Sequence, residues 1–542
     1  MRWLNPIKLS LSWIEPNLKY HWSTRQSKMW VLAIVIGLMV GCAAILFRLG
    51  IGGIQMLWLG TMSENVASAA RDLPGWLIIL APTVGGLFVG AFLQYVHPRK
   101  RPENVSDVIE ARAKHGKGLR FWQGLDSAAV NIVSLGCGAS AGREGPIVHL
   151  GASLATTLCE RFDLPPTAKR IMLACGVASA VSASFNAPIA GVLFAHEVIL
   201  GHYALSAFVP IVVASAFGTM VSRLYFGDIA AFIIPSYQIT SYWEMPAFAL
   251  LGLVCAIAAV LFQLALIGTD WIARNIRMPL IIRPVIGGFI VGCIGLVFPE
   301  VLGVGYEAMD MALKQQLPLL LLLLLIGAKT VATAVTLASR FGGGIFSPSL
   351  YIGAMTGGAF GMIAGQFWPE MASDHGLYAI LGMGAVAAAV LGAPVSTTVM
   401  VFELTGGYAL SIALLLTVSI ATGITIALHG RSYFHWQLEL RGIFLNEGAH
   451  KYLVSTLTVS QFYEPLAQDA PPEDRVLAED TPTISHFDTL EQALKAFDLA
   501  GGGDLAVLDP LDKTRIIGWA RQVTALKFFN DMLIDSQVEE HR

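Results

Sequence analysis

Long uncharged apolar stretches constrain this chain more than any other feature. Met245 to Gly268 and Ser411 to Leu428 contain no charged residue, and Trp30 to Leu59 contains only Arg48. Apolar segments of about 18 residues or more are long enough to cross a bilayer as helices. Charged residues make up only 13% of the chain and hydrophobic residues 55%, which excludes a set of water-soluble domains and a disordered chain. The sequence therefore predicts an all-α, polytopic membrane protein.

The distribution of Lys and Arg predicts how the chain is oriented in the bilayer. Seven Lys and Arg residues lie within residues 98–120, whereas residues 61–75, 227–244 and 368–375 contain only Arg71, apart from His375. Because cytoplasmic loops carry the excess of Lys and Arg, residues 1–29 and the C-terminus are predicted to be cytoplasmic. No cleavable signal peptide is visible, and a bacterial inner membrane is the expected location. The net charge of −3 provides no basic excess for binding nucleic acid.

The chain contains an internal repeat. Pro146 precedes Gly151 by five residues, just as Pro348 precedes Gly353. Pro188 precedes Glu197 by nine residues, just as Pro394 precedes Glu403. Paired interrupted apolar segments in two halves are typical of a transport site near the middle of the membrane. We therefore predict a membrane domain over residues 30–443, with one repeat at about 30–226 and a second at about 245–429.

Two Gly-rich breaks in this repeat are candidate anion sites. The first is Gly142-Arg143-Glu144-Gly145-Pro146, and the second is residues 343–348, which end in Pro348. Each break precedes a helix start, where unpaired N–H groups and the helix dipole attract anions. Glu144 adds a tethered carboxylate that would compete with a mobile anion until it is protonated. The alternatives are a salt-bridged Arg143–Glu144 loop pair at the first break and a tight helix crossing at the second.

These motifs resemble the CLC family of chloride channels and proton-coupled anion exchangers. The resemblance rests on GREGP at 142–146, GGIFSP at 343–348 and FNAPIAGVLFAHE at 185–197. It implies a homodimer, one anion pathway per subunit and two inverted-topology repeats with broken helices. It also implies that Glu144 is the external gating glutamate. The anion-binding residues predicted at the two breaks are Gly142, Arg143, Gly145, Gly344, Ile345 and Phe346.

Two positions in the pathway depart from the family pattern. Where the family usually has a serine that binds the central anion, this chain has Pro102-Glu-Asn-Val-Ser-Asp107, so that Glu103, Asn104 or Ser106 takes that position. A carboxylate would repel the anion, and Asn104 is therefore preferred. The family's pore tyrosine aligns with Phe434, with Tyr433 beside it. If Phe434 is the pore residue, one hydroxyl donor is missing.

A third departure concerns proton coupling. Exchangers of the family usually carry a second glutamate directly after the position of Glu197, where this chain has Val198. Valine cannot carry a proton, and His196 on an α-helix would face about 200° away from Val198. The prediction is a chloride pathway that is channel-like or weakly proton-coupled. The alternatives are a chloride/proton antiporter with a non-standard inner route, in which His196 or Glu197 takes part, and a transporter of another anion.

Other polar residues near the apolar segments are assigned structural roles. Lys329 is expected to snorkel towards water, Glu403 to pack against the repeat partner, and His149 to be structural. No HExxH, GxSxG or clustered His/Asp pattern occurs in the membrane part, so no enzymatic activity, cofactor or metal is expected.

Residues 444–542 differ from the rest because their charge rises. An acidic linker is predicted over residues 465–480, followed by a small α/β unit. Its expected elements are listed in chain order: a strand at 483–484, a helix at 489–499, a strand at 505–508, a turn at 509–512, a strand at 515–519 and a helix at 523–533. The unit resembles half of a paired cystathionine-β-synthase (CBS) module and is predicted to be regulatory or to aid assembly.

Overall fold

The computed structural model describes most of the chain. The described residues are 14, 26–113, 119–162, 164–228, 232, 235, 237–370, 372–405, 410–444, 454, 457–466, 482–501, 503–509, 512 and 515–541. Most of the predicted N-terminal segment and of the acidic linker lies outside these residues. The chain divides into two compact units, Met1–Tyr433 and Phe434–Arg542.

Among the described residues, the secondary-structure elements in the first half of the larger unit are helices. In chain order its helices are α1 (Gln26–Leu59), α2 (Val66–Arg71), α3 (Gly75–Tyr95), α4 (Val105–Ala113), α5 (Phe121–Gly136), α6 (Glu144–Glu160), α7 (Pro166–Phe185), α8 (Pro188–Phe194) and α9 (Leu205–Phe226). A short π-helix, Ala195–Leu200, continues α8. Helix α6 begins two residues before Pro146, so this proline lies at its third position instead of at its start.

The second half repeats this order. Its helices are α10 (Met245–Asn275), α11 (Ile282–Val297), α12 (Tyr306–Leu313), α13 (Leu319–Ala338), α14 (Phe346–Phe367), α15 (His375–Leu391), α16 (Pro394–Thr405) and α17 (Ser411–His429), and α18 (Tyr433–Glu439) follows. Apart from α2, each helix of the first half has a counterpart: α1 of 34 residues corresponds to α10 of 31, and α4 of nine to α12 of eight. Seven helices within the described residues are long and apolar enough to cross a membrane. The protein is a multi-pass membrane protein.

Equivalent glycines hold equivalent helix pairs together in the two halves. A Cβ on Gly151 of α6 would lie 2.6 Å from the carbonyl oxygen of Gly176 in α7, and a Cβ on Gly353 of α14 would lie 2.3 Å from that of Gly382 in α15. These distances are shorter than any real Cβ contact, so each crossing requires glycine. The repeat spacing seen in the sequence therefore reflects two helix crossings of the same kind.

Each half also provides a carboxylate that caps a helix of the other half. Glu197 accepts hydrogen bonds from the N–H groups of Val395 at 3.0 Å and Ser396 at 2.7 Å, at the start of α16. Glu403 accepts from those of Ile189 at 3.0 Å and Ala190 at 2.7 Å, at the start of α8. Each glutamate thus satisfies the unpaired amides at the start of the equivalent helix in the other repeat. The prediction that Glu403 packs against the repeat partner is confirmed.

The smaller unit contains a four-stranded sheet in the order β1-β4-β3-β2. Its elements are β1 (Glu464–Pro465), β2 (Thr483–Ser485), α19 (Leu490–Leu499), β3 (Asp504–Leu508), β4 (Ile516–Arg521) and α20 (Gln522–His541). Strand β2 is parallel to β3, and β4 is antiparallel to both β3 and β1. The predicted strands and helices are present, but β1 was missed because Pro465 was assigned to the linker. A proline is tolerated there because β1 lies at the edge of the sheet.

Candidate functional site

The two Gly-rich breaks pair directly with each other. The N–H of Gly142 donates to the carbonyl of Gly344, and the N–H of Gly344 donates to the carbonyl of Gly142, each at 2.7 Å. The pairing is antiparallel, as expected for segments related by a two-fold axis. Helix α6 begins at Glu144 and α14 at Phe346, so both helix N-termini lie next to this pair. The first amides of a helix have no carbonyl partner within it, so donors from both repeats are brought close together.

Glu144 lies buried at this junction. Its Oε1 accepts a hydrogen bond of 3.0 Å from the hydroxyl of Tyr306, the first residue of α12. Its Oε2 is buried and has no hydrogen-bond partner among the described residues. A Cβ on Gly142 would lie 2.7 Å from this oxygen and 3.1 Å from the amide nitrogen of Ser347 in α14. The absence of a side chain at Gly142 therefore leaves the space in which a carboxylate oxygen sits beside the start of α14.

Arg143 connects Glu144 to the loop between α1 and α2. Its Nε lies 3.9 Å from Glu144 Oε1, but its Nη1 contacts Glu64 Oε1 more closely, in a short ion pair. The guanidinium also lies 4.9 Å from the centre of the Tyr306 ring. The sequence left an ion pair between Arg143 and Glu144 as an alternative. In the structure this is the weaker contact of Arg143.

Lys329 of α13 supports the segment that leads to Tyr306. Its side chain is fully buried, and its Nζ donates to the carbonyls of Val301 at 3.0 Å and Gly303 at 2.9 Å. The expectation that this lysine snorkels to water is wrong, because the two carbonyls already satisfy the ammonium within the protein. Gly305, with φ of +91°, then turns the chain into α12. A buried charge paired with backbone carbonyls is typical of functional regions in membrane proteins.

Of the three candidates for the family's serine position, Asn104 adjoins the breaks. A Cβ on Gly145 would lie 3.9 Å from Asn104 Cβ. Asn104 Oδ1 accepts from the N–H of Ser106 at 3.1 Å and from its hydroxyl at 2.8 Å. The Glu103 carboxylate is buried, with Oε1 in an ion pair with Arg99 Nη1 at 2.7 Å and Oε2 3.0 Å from His149 Nε2.

The predicted inner proton positions lie on the π-helix. Its i+5 pattern appears in the 2.8 Å hydrogen bond from the N–H of Gly201 to the carbonyl of His196. The angle of 200° between His196 and Val198 assumed an α-helix; a π-helix has a smaller angular step, and residues two apart on it still lie on nearly opposite faces. His196 is buried, with Nδ1 3.1 Å from the carbonyl oxygen of His202. Glu197 uses both carboxylate oxygens to cap α16, and Val198 is half-buried.

Comparisons with known proteins agree with the motifs. Residues 85–425 match the family model described as voltage gated chloride channel. A putative chloride channel protein ClcB-like from Ralstonia nicotianae is 33% identical over 395 residues, covering 72% of this chain and 91% of that protein. The chain belongs to the CLC family. Another CLC relative, voltage-gated ClC-type chloride channel ClcB of Escherichia coli, is 28% identical and covers 74% of this chain and 97% of that protein.

Solved CLC structures share this fold. A slow cyanobacterial Cl⁻/H⁺ antiporter superposes with a TM-score of 0.68 at 23% identity, covering 76% of this chain and 97% of its own. A eukaryotic CLC transporter gives a TM-score of 0.67 at 16% identity and covers 92% of this chain and 98% of its own. At these identities the likeness supports the architecture alone.

Several residues around Glu144 were missed by sequence reasoning. Tyr306, Glu64 and Arg48 were assigned no role, although they lie in one connected group with Arg143. Tyr306 had one usable signal, since α12 is the repeat counterpart of α4. At the family's tyrosine position, Tyr433 and Phe434 are both buried at the start of α18, and Phe434 belongs to the smaller unit.

Proposed function

We propose that this protein moves chloride across a membrane along a pathway at the junction of α6 and α14, gated by Glu144. The observation that carries the proposal is the position of the Glu144 carboxylate. It is buried between two helix N-termini, and one of its oxygens has no hydrogen-bond partner among the described residues. A carboxylate in this place has the charge of the anion that the helix starts attract. Protonation removes that charge and lets chloride replace it.

Glycine amides and the first turn of α14 supply the proposed anion ligands. Ile345 and Phe346 stand at the N-terminus of α14, and both are buried. Asn104 is proposed to take the family's serine position because it adjoins Gly145. Its side-chain amide has N–H donors, whereas the Glu103 carboxylate is engaged by Arg99 and His149.

The proposed transport is channel-like or only weakly coupled to protons. Val198 offers no titratable group at the family's inner glutamate position, and Glu197 is engaged as a helix cap. The second candidate function is chloride/proton antiport by another inner route, which is favoured by the description of the cyanobacterial structural neighbour as a Cl⁻/H⁺ antiporter. Transport of a different anion is a more distant alternative.

Purified protein in liposomes tests these proposals. Chloride and proton fluxes are followed together under an imposed chloride gradient. We expect chloride flux that rises with acid, with Glu144→Gln running fast at every pH and losing the acid activation. If Glu144→Gln retained the pH profile of the unmodified protein, the gate assignment would be wrong. Sustained uphill proton movement driven by chloride, and abolished by Glu144→Gln, would establish the antiporter.

Glu244→Gln is a matched control for the gate variant. Glu244 is also buried, and it also accepts a hydrogen bond from a tyrosine hydroxyl, that of Tyr378. It precedes α10, and its hydrogen bonds come from Ser373 and Tyr378, which belong to neither break. We expect the Glu244 variant to keep the acid activation, which separates gating from the loss of any buried Tyr–Glu pair.

We also propose a homodimer in a bacterial inner membrane, with cytoplasmic termini. The smaller unit is proposed to be a CBS-like half-module that regulates transport or aids assembly. Truncation near Glu447 is expected to leave chloride flux in a protein that still inserts and folds. Complete loss of flux in such a protein would contradict this role. Because it is proposed to be only half of a paired module, the unit is expected to lack a complete nucleotide site, and tight ATP binding would contradict that expectation.

A further inference from the structure

A cavity of about 380 Å³, lined by charged as well as apolar side chains, lies beside the proposed gate glutamate. Its lining includes Arg48 of α1, Glu64 of the loop between α1 and α2, Arg143, and Tyr306. The loop carrying Glu64 is part of the segment predicted to face outward. The cavity therefore lies on the side from which an external anion would approach Glu144.

Two arginines in this cavity share a single carboxylate oxygen. Glu64 Oε1 lies 2.8 Å from Arg48 Nε and in closer contact with Arg143 Nη1. Each guanidinium also lies against an aromatic ring, Arg48 at 4.0 Å from the centre of Phe226 and Arg143 at 4.9 Å from that of Tyr306. The rings hold the guanidiniums by cation–π contact, independently of Glu64. The two cations therefore converge on a position that holds one anionic oxygen.

The carboxylate in this position is the group that an incoming anion is able to replace. About a third of the Glu64 side chain is exposed, as is about a third of Arg48, so water and small ions reach the pair. Partial burial opposes ionisation of Glu64, but attraction to Arg143 and then to Arg48 outweighs it and lowers the pKa of the carboxyl. Glu64 is therefore anionic at neutral pH, with Tyr306 and, through Arg143, Glu144 as the other ionisable groups close by.

We propose that Arg48 and Arg143 form an outer docking site for the permeating anion, and that the Glu64 carboxylate occupies it until an anion takes its place. The inference rests on the proposed function for the identity of that anion. Guanidinium groups bind anions through several N–H donors at once, so chloride between them replaces the bonds made to Glu64. Because Arg143 Nε lies 3.9 Å from Glu144 Oε1, an anion docked here is next to the gate.

Neutralising Glu64 tests the site by removing its resident anion. We expect Glu64→Gln to lower the half-saturating chloride concentration about two- to fivefold, the range that corresponds to one partly exposed ion pair such as Glu64–Arg48. Arg48→Gln removes one arm of the site and should raise that concentration. Asp72→Asn is the matched control, because Asp72 is an exposed carboxylate that follows α2 on the same outward segment. It should leave half-saturation unchanged.

A bromide soak of crystals of the full-length Glu64→Gln protein provides a readout that needs no transport. We expect anomalous density between the two guanidiniums. The proposal requires both results, so an unchanged half-saturation or the absence of bromide at this position overturns it. If the unmodified protein moved no chloride, the proposed function would fail and the bromide experiment alone would decide whether the anion site exists.

Discussion

Replacing Gly142 with alanine tests the position of the Glu144 carboxylate. The new methyl group would lie 2.7 Å from Glu144 Oε2, whereas ordinary contacts begin at 3.4 Å. The oxygen must therefore retreat by about 0.7 Å, since side-chain ends move more easily than packed backbone. The methyl group's other neighbours, Ser347 N at 3.1 Å and Gly344 O at 3.2 Å, are backbone atoms of the paired breaks.

The size of the effect follows from the hydrogen bond that this movement disturbs. Glu144 is held by the 3.0 Å bond from Tyr306, and a net hydrogen bond is worth about 0.5–1.5 kcal/mol. Weakening it by about 1 kcal/mol shifts the population of the seated carboxylate roughly fivefold. Gly142→Ala should therefore raise chloride flux at neutral pH about three- to tenfold and reduce the acid activation by a similar factor.

Chloride efflux from liposomes, measured between acidic and neutral pH, checks this expectation. The control is the same substitution in a Glu144→Ala background, where there is no carboxylate to displace. If the methyl group acts through Glu144, it has no further effect there, which is the non-additivity expected of coupled sites. A Gly142→Ala protein with an unaltered pH profile, or lower flux in both backgrounds, would refute the reasoning.

Three further outcomes are expected. Glu403→Gln and Glu197→Gln should each lower the free energy of unfolding by a similar amount, about 1–3 kcal/mol. In each variant an N–H₂ group replaces one of the two carboxylate oxygens that cap a helix. Denaturation in detergent measures the effect. Tyr306→Phe should raise chloride flux at neutral pH about two- to tenfold, less than Glu144→Gln does, because only the hydroxyl donor is lost. The pKa of Glu64 is lowered in the folded protein, so its ion pairs should stabilise the fold at pH values above the ordinary carboxyl pKa. The stabilities of the unmodified protein and of Glu64→Gln should therefore converge as the pH falls below that ordinary pKa.

The features predicted well from sequence are those with a local or a periodic cause. The repeat spacing predicted that the two Gly-rich breaks are partners, and Gly142 pairs with Gly344 in the structure. The helix at residues 489–499 was predicted from its start, where Thr489 and Gln492 form a reciprocal capping box. Such signals lie within a few residues or recur at a fixed interval, so they can be read without the tertiary fold.

The features that were missed depend on contacts between distant residues. Tyr306 is 162 residues from Glu144, and Arg143 is 79 from Glu64. Each residue reads by itself as an ordinary polar side chain near a helix end. The snorkelling expected of Lys329 failed for the same reason, because the carbonyls that satisfy it come from a separate segment. The choice among Glu103, Asn104 and Ser106 was left open with Asn104 preferred, because it depends on which of them lies beside Gly145.

Proton coupling depends on the local geometry around Val198. The α-helical periodicity predicted His196 and Val198 on opposite faces; the segment 195–200 is a π-helix, whose smaller angular step leaves them on nearly opposite faces. Glu197, next to the valine, is engaged by α16 through both oxygens, and His196 Nδ1 is near the carbonyl of His202. A proton route through Glu197 would have to break a cap that has an exact counterpart in Glu403, and so would disturb the contact between the repeats. We therefore favour an acid-sensitive outer gate without an inner proton acceptor, in which protons reach Glu144 and return to the same side.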